Sequence, residues 1–91
     1  MGDVETSRRL AVLSHQNGLH LTPIQQVVRA ASEFSADIKI HFNDKVADAK
    51  SAMELMLLGA TQGSQLAVEG VGPNAQDAVE AVARVLETSP D

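Results

Sequence analysis

The chain has 91 residues and a formal net charge of −5, from seven Lys/Arg against twelve Asp/Glu. Its 44% hydrophobic and 21% charged residues describe one small globular domain and exclude a disordered acidic tail or a collagen-like repeat. An acidic chain whose only aromatic residues are Phe34 and Phe42 is no nucleic-acid binder, and the absence of cysteine excludes disulfides, thiolate metal sites and a thiol nucleophile.

Residues 1–8 show no periodicity and read as a flexible leader without the apolar core of a signal peptide. No apolar run reaches the ~18–20 residues of a membrane span, so a cytoplasmic protein without membrane insertion is expected. Arg9–Ser14 is short and apolar, as a buried strand is, and His15-Gln16-Asn17-Gly18 breaks it as a loop. Ile24, Val27, Val28 and Ala31 then form one stripe of a helix that ends near Ser32, with Pro23 in its first turn. Asp37–Phe42 alternates, with Ile38, Ile40 and Phe42 on one face. Asn43-Asp44 turns the chain into a return strand, Lys45–Ala49.

Lys50–Leu58 predicts a short helix, with Ser51 and Glu54 as a capping box and Gly59 at its end. After a turn at Thr61–Ser64, Gln65–Val71 predicts a strand. Asn74 caps a last helix with Asp77 in its first turn and Ala75, Ala78, Val79, Val82, Val85 and Leu86 on its apolar face. The expected fold is α+β: an open-faced sandwich of four strands, covered on one face by the two long helices, with the short helix at the rim. One domain spans residues 9–88, followed by a tail at 89–91.

The segment with chemical potential is Asn17-Gly18-Leu19-His20-Leu21-Thr22-Pro23. Unpaired N–H groups at a helix N-terminus carry roughly +0.5 charge and hold a phosphate without a metal. An imidazole beside them can accept a phosphoryl group on a ring nitrogen and pass it on. The same histidine would serve as a plain loop or cap residue, and Gly-X-His before a helix does not by itself decide between the two. His15 and His20 have no neighbouring carboxylate or cysteine, so neither a metal nor a nucleotide cofactor is expected. His41, Asp44 and Asp48 read as exposed sheet and turn residues.

Gly18-Leu19-His20 followed by Pro23 resembles the active-site segment of the HPr family, the histidine-containing phosphocarriers of the bacterial sugar phosphotransferase system. The resemblance continues through Ala49-Lys50-Ser51, Leu55, Leu58-Gly59, Thr61-Gln62-Gly63 and Asp77-Ala78-Val79, without gaps in spacing. It implies an HPr-like sheet, four-stranded and antiparallel. It further implies that His20 takes phosphate from phosphoenolpyruvate by way of enzyme I, carries it on Nδ1 over the start of the first helix, and gives it to sugar-specific enzyme IIA proteins. Such a protein is a monomeric relay and not a stand-alone turnover enzyme. The backbone amides of Leu21 and Thr22 would cradle the phosphate, with Asn17 as a further hydrogen-bonding group. Ser51 would match the serine modified by an HPr kinase/phosphorylase, although the local pattern requires of it only a helix cap. Ala52, Met53 and Met56 would match the apolar docking edge, and methionine suits a surface that meets several partners.

The chain departs from the family at Leu21-Thr22-Pro23, where a small residue, an arginine and a proline are usual. A charge-assisted hydrogen bond contributes about 1.5–3 kcal/mol, so threonine in place of arginine weakens transfer or docking roughly 10–100-fold. Arg29 lies two turns along the same helix face, about 10.5 Å away; it steers a partner but does not reach the phosphate. Thr22-Pro23-Ile24-Gln25 is itself a capping box, so the helix starts either after His20, as the resemblance favours, or after Thr22, which would displace the anion site. The missing cation also motivates a second function: a regulatory binding module that keeps the fold, transfers poorly, and acts through Ser51 or by docking.

Overall fold

A computed structural model of the chain describes residues 4–88. The elements follow the expected order: β1 (Thr6–Val12), α1 (Leu21–Ser32), β2 (Asp37–Phe42), β3 (Lys45–Asp48), α2 (Ala52–Leu57), β4 (Gln65–Val71) and α3 (Ala75–Glu87). The four strands form one antiparallel sheet in the order β1-β4-β2-β3, so the last strand in the chain occupies an inner position. Helix α3 packs across β1, β4 and β2, α1 lies beside α3, and α2 bridges α1 and β3. The other face of the sheet is open, which makes the fold an open-faced α+β sandwich.

Alternation decides which strand residues enter the core. Ile38, Ile40, Leu66 and Val68 point to the helices and are fully buried, with Ala11 and Ala47 as small residues on the edge strands. Ile24, Val27 and Ala31 of α1 and Ala78, Val79, Val82 and Leu86 of α3 meet them, and Leu55 and Leu58 close the end of the core near α2. On α3 the stripe buries Ala83, whereas Val85 is half-buried. The two sit about 80° either side of the stripe centre, and only contact with the sheet and α1 selects between them.

Three local expectations are corrected. Strand β1 begins at Thr6, inside the expected leader, and ends at Val12 rather than Ser14. Its register with β4 runs from Thr6↔Val71 to Val12↔Gln65, and a polar start is stable there because β1 is an edge strand. Leu13 and Ser14 leave the sheet, their amides donating to Ser64 O and Leu86 O. Helix α2 is shorter than expected: the Ser51 side chain caps it through Glu54 N–H at 3.3 Å, while Lys50 stays outside and donates from Nζ to Phe34 O at 2.7 Å. The reciprocal half of the capping box is not made, because Glu54 Oε1 accepts from the Asp48 amide instead. Asn74 occupies the N-cap position of α3 at φ +58 but makes no side-chain cap. The carboxylate of Glu5 takes over, accepting from Gln76 N–H at 3.2 Å across 71 residues of sequence.

Gly70 on β4 lies directly under α3. A Cβ there would stand 2.8 Å from Val79 Cγ2 and 3.2 Å from Ala75 O. Gly70→Ala is expected to destabilise the domain by about 1–3 kcal/mol through overpacking, read as a lower urea midpoint at unchanged slope.

Candidate functional site

Helix α1 starts immediately after His20, in agreement with the first of the two possible starts. His20 is the N-cap, with extended backbone (φ −103, ψ −169), and its carbonyl accepts the first helical hydrogen bond, from Ile24 N–H at 3.0 Å. An N-cap serine or aspartate would turn its side chain back onto the first-turn amides. The His20 side chain makes no such bond, and the residue is exposed. Pro23 contributes no N–H, so the open donors of this turn are those of Leu21 and Thr22. Neither amide donates to a protein acceptor among the described residues. An exposed imidazole thus stands beside two free N–H groups at the positive end of a 12-residue helix that has no acidic residue in its first turn.

The loop that holds His20 is braced from three sides. Gly18 N–H closes a turn on His15 O at 2.9 Å, and Leu19 N–H donates to Ala60 O at 3.0 Å, which ties the loop to the segment after α2. His15 is 2% exposed, with its Nε2 2.9 Å from Val85 O near the end of α3. Ser14 Oγ donates to Glu87 O at 2.6 Å. Gln62 Nε2 donates to Ser14 O and Gly63 N–H to Leu13 O, closing the loop from the side of the turn before β4. Sequence reasoning names Gly18, Leu19, Gln62 and Gly63 for the family resemblance and assigns none of these residues a bracing role; a histidine directly after an apolar strand was the available signal for His15.

The other candidates fall into two groups. Asn17 is exposed in the turn before Gly18 and makes no side-chain hydrogen bond among the described residues. Arg29 is exposed in the last turn of α1, about 12 Å along the helix from Leu21, and so stands apart from the cradle. Ser51 caps α2, and Ala52, Met53 and Met56 follow it on that helix. Met53 and Met56 are 73% and 62% exposed, so neither is a core methionine. His41, expected to be exposed, is half-buried on the open sheet face with Nε2 3.0 Å from Glu69 Oε1. Among the described residues no cluster of His, Asp or Glu could hold a metal, and no helix is long and apolar enough to cross a membrane.

Gly18 connects this geometry to stability. It adopts φ +73, and an added Cβ would lie 2.6 Å from the backbone oxygen of Ala60. The acceptor is main chain and cannot swing away. Gly18→Ala is expected to destabilise by more than about 1–2 kcal/mol and to shift the amide resonances of Leu19, Leu21 and Thr22 in a ¹H–¹⁵N spectrum.

Comparison with known proteins gives a consistent result. A family model described as the PTS HPr component phosphorylation site matches residues 7–88. The phosphocarrier protein HPr of Vibrio cholerae is 37% identical over 75 residues, covering 82% of this chain and 88% of that protein. The crystal structure of HPr from Bacillus anthracis superposes with a TM-score of 0.84 at 33% identity, covering 89% of this chain and 96% of that one. The Bacillus subtilis catabolite repression protein Crh, described as a swapped, intertwined dimer, gives a TM-score of 0.72 at 30% identity and covers 78% and 82%.

Proposed function

The chain belongs to the HPr family of phosphotransferase-system phosphocarriers, and on that footing we propose that His20 is its phosphoryl acceptor. The observation that carries the proposal is the exposed, unbonded imidazole at the N-cap of α1 beside the free amides of Leu21 and Thr22. In this reading the donor is phosphorylated enzyme I and the acceptors are enzyme IIA proteins of the cytoplasm.

Nδ1 of neutral His20 attacks the phosphorus. With the ring's single N–H on Nε2, a P–N bond forms at Nδ1 as the bond from phosphorus to the donor breaks; the donor atom keeps that electron pair and takes up a proton, and the Nε2 proton passes to solvent. Two phosphoryl oxygens accept from the Leu21 and Thr22 amides, where the helix dipole favours the added negative charge. Thr22 Oγ1 and the Asn17 amide are the nearest side-chain donors in sequence. Because the cradle is built of main-chain groups, it binds the anion without a change of rotamer. Transfer onward is the same exchange in reverse, with the IIA nucleophile attacking the phosphorus and the electrons of the P–N bond returning to His20. The exposed apolar Met53 and Met56 on α2 suit a docking surface that accepts more than one partner.

A second reading, regulation through Ser51, is favoured by the uncharged Thr22 beside His20 and by the likeness to Crh. A phosphate on Ser51 would sit at the start of α2, where the dipole favours it, but it would also face the Glu54 carboxylate of the first turn. It would replace the 3.3 Å cap from Glu54 N–H with a charge-assisted one.

Incubation with phosphoenolpyruvate and enzyme I from the same host is expected to add one acid-labile phosphoryl mass, lost in His20→Ala and kept in Ser51→Ala. An unmodified wild-type chain would reject the relay. Thr22→Arg is expected to speed acceptance roughly 10–100-fold, by supplying a charge-assisted bond to the phosphate. An unchanged rate would remove the reason for the regulatory reading.

A further inference from the structure

The side of the sheet turned away from the helices carries a pattern that neither the core nor the His20 site uses. The strand registers place Arg8 of β1, Glu69 of β4, Lys39 of β2 and Asp48 of β3 opposite one another in a single row. Read across the sheet, its charges run plus, minus, plus, minus. Glu69 is the one member with an ion-pair partner inside the molecule among the described residues, and that partner is His41 in the next row. Arg8 and Lys39 are exposed, and neither is within 4.0 Å of a carboxylate among the described residues. The next row reads Leu10, Ala67, His41, Val46, with large apolar groups at both ends, Leu10 at 56% and Val46 at 53% exposure.

We propose that this open face is a self-complementary docking surface for a second copy of the chain. A two-fold axis between β4 and β2, parallel to the strands, reverses the strand order while keeping each row opposite itself. Arg8 then faces Asp48 of the other copy, and Glu69 faces Lys39. In the second row Leu10 meets Val46, apolar on apolar, and Ala67 leaves room for His41; the row at the other end sets Val71 against Asp37 and adds no complementarity, so the two inner rows carry the contact. The contact is isologous and closes as a dimer. The face is only about 20 Å square, from four strands ~4.8 Å apart and about six residues long, and so falls below a standard interface. The dimer is therefore weak, and the monomer expected from the sequence dominates at low concentration. His20 belongs to the helix layer and remains free in the dimer.

Sheets stacked face to face are offset by roughly 30°, so the central pair, Glu69 against Lys39, keeps its alignment best and provides the test. Sedimentation equilibrium up to about 1 mM protein is expected to show a reversible monomer–dimer equilibrium. Lys39→Glu sets two carboxylates against each other and is expected to weaken association about tenfold or more. Combining it with Glu69→Lys restores opposite charges across the axis, although not along the row, and is expected to recover association. Leu10→Asp, which alters the other row, weakens it independently. Far-UV circular dichroism confirms that each variant is folded. A monomer throughout the range, which would leave the face to a different protein, overturns the proposal. So does a dimer indifferent to Lys39→Glu and Leu10→Asp, or a double exchange that fails to recover.

Discussion

The amides of Leu21 and Thr22 open α1 without an acceptor, and His20 ahead of them does not supply one. Most helices relieve this condition with a hydroxyl or a carboxylate at the cap. Here proline removes the third donor, the fourth is used within the helix, and the remaining two stay directed at solvent beside an exposed ring. A group that carries negative charge and several acceptor oxygens satisfies both donors and the dipole together. A site built this way needs no metal and no buried charge. What it needs is a loop held still enough to keep ring and amides in register.

The fold meets that need with contacts far apart in sequence. His15 against Val85 and Ser14 against Glu87 tie the strand end to the last turn of α3, while Leu19 is tied to Ala60 behind α2. Each brace satisfies a polar group that would otherwise be lost on leaving the sheet. Gly18 is the hinge of the arrangement, because only a residue without Cβ passes so close to the Ala60 carbonyl at positive φ. The buried histidine is thus structural, and the exposed one, five residues on, is the proposed phosphoryl acceptor.

The net charge of −5 conceals an uneven distribution. Arg9 is spent on α3, with Nη2 3.0 Å from Glu87 Oε1 and Nε 3.5 Å from Glu80 Oε2. Lys50 anchors the chain before α2. Of the cations on the helices, Arg29 and Arg84 are exposed and make no ion pair among the described residues, in the last turns of α1 and α3; Arg29 stands at the opposite end of α1 from the His20 cap. In the proposed function the anion is held by main-chain dipoles beside an uncharged Thr22, and the exposed side chains of α2 offered to a partner are mostly apolar.

Much of this architecture was legible in short-range pattern. The α1 stripe at Ile24, Val27 and Ala31, the alternation of Ile38 and Ile40, the Ser51 cap and the placement of His20 before a helix each depend on residues within one or two turns, so the chain states them locally. The start of β1, the Glu5 cap on α3, the burial of Ala83 and the bracing of His15 were not legible. Each is a pairing between segments as much as 71 residues apart, settled only when β4 enters the sheet between β1 and β2 and α3 closes over them. By itself the sequence determined which segments curl, which extend, and which histidine precedes a helix. The tertiary structure alone decided which polar groups find distant partners, because a hydrogen bond between remote residues follows from strand register and layer packing, and neither is encoded in any local period.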